Sequence, residues 1–161
     1  MKFKVLPDPP ESLSAIEERH AAVPLVPEDE RTCCMRLVST TDVDSQDHAK
    51  EWLTFFRALE LVSKTDDGYR RRRVEPDPEA MRRAFRDRIY LVEDVLETVG
   101  SATEPLDEDE VFDRLADRLP PWERLRHTDP EAVWREQVRR ILEWAVLFDL
   151  LEPSSAGYAR S

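Results

Sequence analysis

Apolar residues recur at helical spacing in the first half of the chain. The clearest set follows the i, i+3, i+4, i+7 rhythm of one helix face: Ala49, Trp52, Leu53, Phe56 and Leu59. Asp44 or Ser45 is a suitable cap for this helix, because a short polar side chain can accept a backbone N–H of the first turn. Earlier helices are predicted over residues 12–22 and just after Pro27.

After this helix the pattern changes to one that is typical of a β-hairpin. Residues 59–64 predict a strand, and residues 69–74 predict the strand that returns. Asp67-Gly68 lies between them and is a turn signal, since both residue types tolerate a positive φ. The expected order is therefore three helices followed by a hairpin.

The same landmarks occur a second time near the other end of the chain. Leu61-Val62 is followed by Gly68-Tyr69, and Leu150-Leu151 is followed at the same spacing by Gly157-Tyr158. An acidic residue precedes each apolar pair. Two copies of one supersecondary unit explain this pattern better than chance does.

The second copy is expected to open with a long helix over residues 78–99, which ends at Gly100. The apolar stripe of this helix consists of Met81, Phe85, Ile89, Val92, Leu96 and Val99. A short helix around residues 111–115, a third helix over residues 129–148 and a hairpin over residues 150–160 complete the copy.

Two prolines within residues 75–78 interrupt both neighbouring patterns and mark the boundary between the copies. We therefore expect a first unit over residues 1–75, including the N-terminal segment, and a second unit over residues 76–161. Residues 120–127 are an insertion in the second copy, and Asp129 is expected to cap the helix that follows it.

Helices followed by a two-stranded hairpin form the order of a winged helix, and the chain resembles a tandem member of the winged-helix superfamily over nearly all of its length. The resemblance rests on element order and on the repeated landmarks. It implies a mainly α fold with short β-hairpins, arranged as two tandem winged-helix units. It also implies that the third helices, residues 45–60 and 129–148, enter the major groove of DNA while the hairpin tips touch the backbone or minor groove.

The composition is acidic and poor in lysine. Asp and Glu total 35 against 24 Lys and Arg, which gives a net charge of −11. This bias resembles halophilic proteins of the haloarchaeal type, although an ordinary acidic protein from a GC-rich genome would share it.

Adjacent Cys33 and Cys34 are unsuited to bridging each other and indicate a reducing compartment. No apolar run reaches the ~20 residues that span a membrane, so we expect a cytoplasmic protein without membrane contact.

One part of the chain departs from this acidity, and we call residues 70–88 the basic segment. It holds eight arginines and four acids, so its net charge is +4 and the rest of the chain carries −15. Guanidinium groups form bidentate contacts with phosphate, and four consecutive arginines exceed what nearby acids can neutralise. Its candidate DNA-binding residues are Arg70, Arg71, Arg72, Arg73, Arg82, Arg83 and Arg86. The alternative is an ion-pair network with the acidic surface.

The third helix of the first unit offers side chains that could contact bases: Gln46, His48, Lys50, Thr54 and Arg57. Gln can pair with adenine, and Lys or Arg with guanine. Acids lie among them, so a solvated helix with a charge ladder fits equally well. In the second unit, Arg135, Arg139 and Arg140 lie at helical spacing from glutamates, which favours self-pairing. We expect that unit to dimerise or to bind protein.

The sequence contains no arrangement that indicates catalysis. It has three glycines, none in a phosphate-binding loop, and three histidines without the spacing of zinc ligands. We therefore expect neither an enzyme, nor a metal site, nor a cofactor.

These features favour a transcriptional regulator that binds double-stranded DNA. The apolar residues of 78–99 alternate at spacings of four and three, as in a coiled-coil seam, which predicts a homodimer through that helix. The rival hypothesis is a protein-interaction adaptor that reads no DNA. Bacterial and archaeal condensin-associated subunits are similar in outline, being small, acidic and built of tandem winged helices.

Overall fold

The structure, a computed structural model that describes residues 2–116 and 130–161, divides into two units, Met1–Tyr90 and Leu91–Ser161. The elements of the first unit are α1 (Ser14–Ala22), α2 (Glu30–Thr40), α3 (Gln46–Ala58), β1 (Val62–Thr65), β2 (Gly68–Arg71) and α4 (Pro78–Arg88). Those of the second are α5 (Val92–Gly100), α6 (Glu108–Ala116), α7 (Pro130–Leu147), β3 (Leu151–Ser154) and β4 (Gly157–Arg160). The mainly helical fold with two antiparallel hairpins confirms the predicted tandem winged helices.

Side-chain caps mark where α2, α3 and α4 of the first unit begin. Asp29 accepts a hydrogen bond of 2.7 Å from the backbone N–H of Thr32, and Ser45 accepts one of 3.1 Å from that of His48. The apolar stripe predicted for α3 faces the core, and Trp52 within it is only 3% exposed. The insertion at residues 120–127 and the cap at Asp129 lie outside the described residues.

Each hairpin gains a third extended segment from the loop that precedes the second helix of its unit. Glu28 and Tyr69 exchange two backbone hydrogen bonds of 3.0 and 2.7 Å, and Leu106 and Tyr158 do the same at 3.0 and 2.7 Å. The bridges confirm that the two copies share one architecture.

The turn predicted at Asp67-Gly68 is wrong by one residue. Thr65 pairs with Gly68, so Asp66-Asp67 form the loop, and the return strand ends at Arg71 rather than at residue 74. Gly68 has a φ of +121°, and a methyl group on it would overlap the backbone carbonyl of Glu28. Glycine is required at this position because the third extended segment, which contains Glu28, passes too close for a side chain.

The long helix predicted over residues 78–99 is also wrong, because it is two helices that break at Ile89–Leu91. The N-terminal segment pairs there: the Phe3 N–H donates to the Arg88 carbonyl at 2.7 Å, and the Tyr90 N–H donates to the Phe3 carbonyl at 2.8 Å. Leu91 then adopts a left-handed φ of +73°.

This break has two consequences for the expectations from sequence. The division between the units lies at Tyr90–Leu91 instead of residues 75–76, since α4 packs against α3. The predicted seam is interrupted, and its residues from Phe85 to Val99 are already buried within the chain. The homodimer stays a prediction, but residues 78–99 do not form the continuous helix that was expected to be its interface. None of the helices in the described residues has the length and apolarity needed to cross a membrane.

Candidate nucleic-acid interface

The polar face of α3 gathers four of the five residues proposed for base contacts. Gln46, Lys50, Thr54 and Arg57 lie three or four positions apart and therefore project from one side of the helix. Gln46 and Lys50 are exposed, whereas Thr54 and Arg57 are partly buried. The Thr54 hydroxyl donates to the Lys50 carbonyl at 3.1 Å, which fixes its direction along the helix.

His48 is exposed beside this face and pairs with an acid of the preceding loop. Its Nδ1 lies 2.5 Å from Asp44 Oδ1. The hydrogen bond to Asp44 raises the pKa of His48, and the same bond lowers the pKa of Asp44. The protonated imidazole is therefore favoured, but an adjacent carboxylate already balances its charge.

Four residues from four elements meet at the edge of the α3 face, and we call them the Glu30 cluster (Glu30, Lys50, Lys64, Tyr69). Glu30 Oε2 lies 4.0 Å from Lys50 Nζ, and Glu30 Oε1 accepts a hydrogen bond of 3.2 Å from the Tyr69 hydroxyl. Lys64 Nζ of the wing lies 5.5 Å from the centre of the Tyr69 ring. Burial and the charge of Glu30 raise the pKa of Tyr69, so its hydroxyl stays a donor. The cluster joins the start of α2 to α3 and to the wing.

The four consecutive arginines do not share one environment. Arg70 is exposed on the side of β2 opposite to the buried Tyr69, and Arg73 is exposed just beyond the strand. Neither has a side-chain partner among the described residues. Arg72 Nη1 donates to the Glu60 carbonyl at 2.8 Å, and Arg71 is half-buried against α1. Two of the four therefore face solvent without a side-chain partner in the described part of the chain.

The arginines of α4 are also divided. Arg83 is exposed and has no partner among the described residues, whereas Arg82 and Arg86 are half-buried and engaged in contacts. Arg88, which was not among the candidates, forms an ion pair of 2.6 Å with Glu60. Part of the basic segment is thus neutralised within the first unit, as the alternative hypothesis expects.

Arg57 is occupied by an aromatic contact that sequence reasoning missed. Its guanidinium lies 5.5 Å from the centre of the Phe3 ring, and that of Arg88 lies at the same distance from it. No periodic pattern in the sequence links Phe3 to α3. Phe3 reaches Arg57 because the N-terminal segment pairs with the backbone at Ile89. Lys64, Tyr69 and Glu30 were missed as well, although the Gly-Tyr landmark marks Tyr69.

The corresponding face of α7 is balanced by ion pairs, as predicted. Arg135 contacts Asp109 at 2.5 Å and Glu131 at 3.2 Å. Arg140 Nε lies 3.1 Å from Glu136. Arg139 pairs with Glu136 and, at 2.8 Å, with Glu143. This face therefore presents little unbalanced positive charge.

Alignment of the two units on Gly68 and Gly157 shows where they differ. Lys50 of α3 corresponds to Arg139 of α7, and Thr54 corresponds to Glu143. An acid one helical turn after the cation neutralises it in the second unit, while a neutral hydroxyl occupies that place in the first. Lys50 is therefore less neutralised than Arg139 and more available to bind an anion.

The cysteines and acids form no reactive or metal-binding centre within the described part of the chain. Cys33 and Cys34 are buried free thiols, and burial raises the pKa of Cys33 to about 11, so it stays protonated. No group of three or more potential ligands that could hold a metal ion occurs among residues 2–116 and 130–161.

The chain matches a known protein family. A family model described as the halobacterial double winged helix domain matches residues 1–161. No curated protein and no solved structure matches the chain. The family match agrees with the two hairpin-bearing units of the structure.

Proposed function

The chain belongs to the halobacterial double winged helix domain family, and from that premise we propose that it is a transcriptional regulator whose first unit binds double-stranded DNA. In this proposal α3 lies in the major groove and the wing of β1 and β2 lies along the phosphate backbone. The second unit supports the first or binds a partner, and it reads no bases.

The observation that carries the proposal is the unequal charge balance of the two helix faces. Among the described residues Lys50 has one acidic partner, at the 4.0 Å limit of an ion pair, whereas its counterpart Arg139 is held by two glutamates at shorter range. A cation that is weakly paired gains more from a DNA phosphate than one whose charge is already balanced. This inequality favours the first unit as the DNA-binding one.

The wing supplies the phosphate contacts in this account. Arg70 and Arg73 are exposed without a partner in the described residues, and Lys64 lies on the strand opposite Tyr69. Guanidinium groups that are free to turn toward phosphate oxygens can form bidentate contacts. Gln46, at the N-terminal end of α3, is then placed to reach a base edge.

A protein-interaction role for the second unit is favoured by a separate observation. Val133 on α7 is 43% exposed, so an apolar side chain of this helix lies at the surface. It lies beside Ala132 and the balanced Arg140–Glu136 pair, so this face combines apolar and neutralised polar surface. Such a surface resembles a protein contact more than a DNA contact.

Selection of binding sites from a random duplex library tests the proposal. The full chain should enrich a short motif, and the Gln46→Ala variant should alter the base preference without abolishing retention of DNA. The matching substitution in the second unit, Arg135→Ala, should leave the motif unchanged. Failure of the full chain to enrich any sequence, with the protein folded, would favour the adaptor hypothesis.

A further inference from the structure

A cavity of about 420 Å³ lies in the first unit between α1 and the residues that follow β2. Its walls include Arg71, Arg73 and His20, together with Leu25 and Val74. Arg73 is also a proposed phosphate contact, whereas Arg71 and His20 take no part in the DNA contacts proposed above. The volume of the cavity is within the range of pockets that hold small organic molecules.

Arg71 lines the cavity with an unsatisfied donor. Its side chain is half-buried, and its Nε is a buried donor without a hydrogen-bond acceptor among the described residues. Buried donors are rarely left without an acceptor, because the desolvation of the group is then uncompensated. The backbone N–H of Arg71 donates to the Pro24 carbonyl at 2.7 Å, so the position of the residue is fixed independently of its side chain.

His20 completes the polar wall as a neutral ring. Its Nε2 lies 2.9 Å from the Leu61 carbonyl, and a carbonyl can only accept, so Nε2 carries the proton. Burial lowers the pKa of His20, and the nearby charge of Arg71 lowers it further. The ring therefore leaves Nδ1 as an acceptor and adds no charge.

The net charge of the lining and the apolar rim of the cavity define the kind of ligand that would fit. Three arginines, Arg71 to Arg73, face two acids, Glu17 and Glu75, which leaves one positive charge in the lining. Leu25 and Val74 are 39% and 44% exposed, so the rim is apolar. A ligand with one negative charge and an apolar body would match both features.

We propose that this cavity binds a small organic carboxylate, whose carboxylate group accepts from Arg71 and whose apolar body covers Leu25 and Val74. Because the cavity lies directly behind the wing, occupancy would hold the residues after β2 in place. The proposal does not depend on DNA binding, since Arg71 is not among the side chains that the DNA account requires.

Titration of the full chain with benzoate, followed by ¹H–¹⁵N correlation spectra in about 1 M KCl, tests the proposal. At that ionic strength the Debye length is about 3 Å, so only direct contacts survive. Benzoate should cause saturable shifts of the amides of residues 71–75 and of the Arg71 Nε–H, and neutral benzamide should not. Arg71→Gln should weaken benzoate binding about tenfold, as expected for loss of a charged hydrogen bond.

Arg83→Gln is the matched control, because it removes from the same unit one exposed arginine that has no partner in residues 2–116 and 130–161. It should leave benzoate binding unchanged. Arg73→Gln gives a second test at the cavity if Arg71→Gln fails to fold. Equal shifts with benzamide, shifts reproduced by added chloride, or binding that survives in every folded cavity variant would each overturn the proposal.

Discussion

Glu60 and Asp149 occupy the same left-handed position, two residues after the last residue of α3 and of α7, with φ values of 63° and 59°. The residue that follows donates back to the helix at 2.8 Å in both cases, Leu61 to Phe56 and Leu150 to Ala145. This pairing is the Schellman motif, in which a left-handed residue closes the helix and an apolar residue folds back onto it. The repeated acid and apolar landmarks of the sequence are therefore helix-terminating motifs.

We expect Asp149→Gly to stabilise the protein, because glycine adopts the left-handed conformation without the penalty that a side chain brings. The gain should be about 1 kcal/mol. Asp149 has no side-chain partner among the described residues, so the substitution loses little. Glu60→Gly should gain less, since Glu60 also forms an exposed ion pair with Arg88, worth up to about 1 kcal/mol. Urea unfolding of both variants checks this, and a less stable Asp149→Gly would contradict it.

Replacing either wing glycine with alanine should destabilise its unit. At Gly68 and Gly157 the positive φ is unfavourable for alanine, and the new methyl would overlap the carbonyl of Glu28 or Leu106. The loss should exceed about 1 kcal/mol in each case. Gly100→Ala is the control, since Gly100 lies at the end of a helix and its new methyl meets the flexible side chain of Arg160. Thermal unfolding distinguishes them, and equal melting temperatures for all three variants would refute the explanation of the glycines.

The two histidines of the first unit should affect stability in opposite directions as the pH falls below about 6.5, the pKa of an unperturbed histidine. The lowered pKa of His20 means that the unfolded chain takes up its proton first, so this contribution to stability is lost as the pH falls through the folded pKa. The raised pKa of His48 means that its contribution is complete below about 6.5 and is lost as the pH rises through the folded pKa.

Melting curves between about pH 5 and pH 8 measure these contributions, since this range brackets the pKa of an unperturbed histidine. His20→Gln should reduce the loss of stability at the acidic end, and His48→Gln should increase it. The same pH dependence in both variants and in the parent protein would show that neither histidine is linked to folding.

Thr54→Glu should transfer the charge balance of the second unit to the first. The new carboxylate would lie one helical turn after Lys50, as Glu143 does after Arg139. Duplex binding should weaken, because the phosphate then competes with an intramolecular partner and meets an added negative charge. Thr32→Glu, at a half-buried threonine on α2, controls for the added charge. Equal binding by Thr54→Glu and the parent would show that α3 does not approach DNA.

The sequence predicted the features that depend on local pattern. The stripe of α3, the cap at Ser45 and the repeated hairpin follow from the spacing of neighbouring residues. The sequence did not predict the features that depend on contact with a segment distant along the chain. The break at Leu91 depends on pairing with Phe3, and the place of Gly68 depends on the approach of Glu28. Four consecutive arginines in sequence likewise gave no sign that Arg71 would face a cavity while Arg70 faces solvent.

The salt dependence of binding to a labelled duplex of mixed sequence tests the central claim most directly. The measurement compares the parent with Arg70→Ala/Arg73→Ala in the wing and with Arg139→Ala/Arg140→Ala in α7, over KCl concentrations at which circular dichroism shows all three folded. The account predicts that the wing variant binds more weakly and that its slope of log affinity against log salt falls by about two, while the α7 variant keeps the parental slope. Equal slopes for the wing variant and the parent would contradict DNA binding through the first unit.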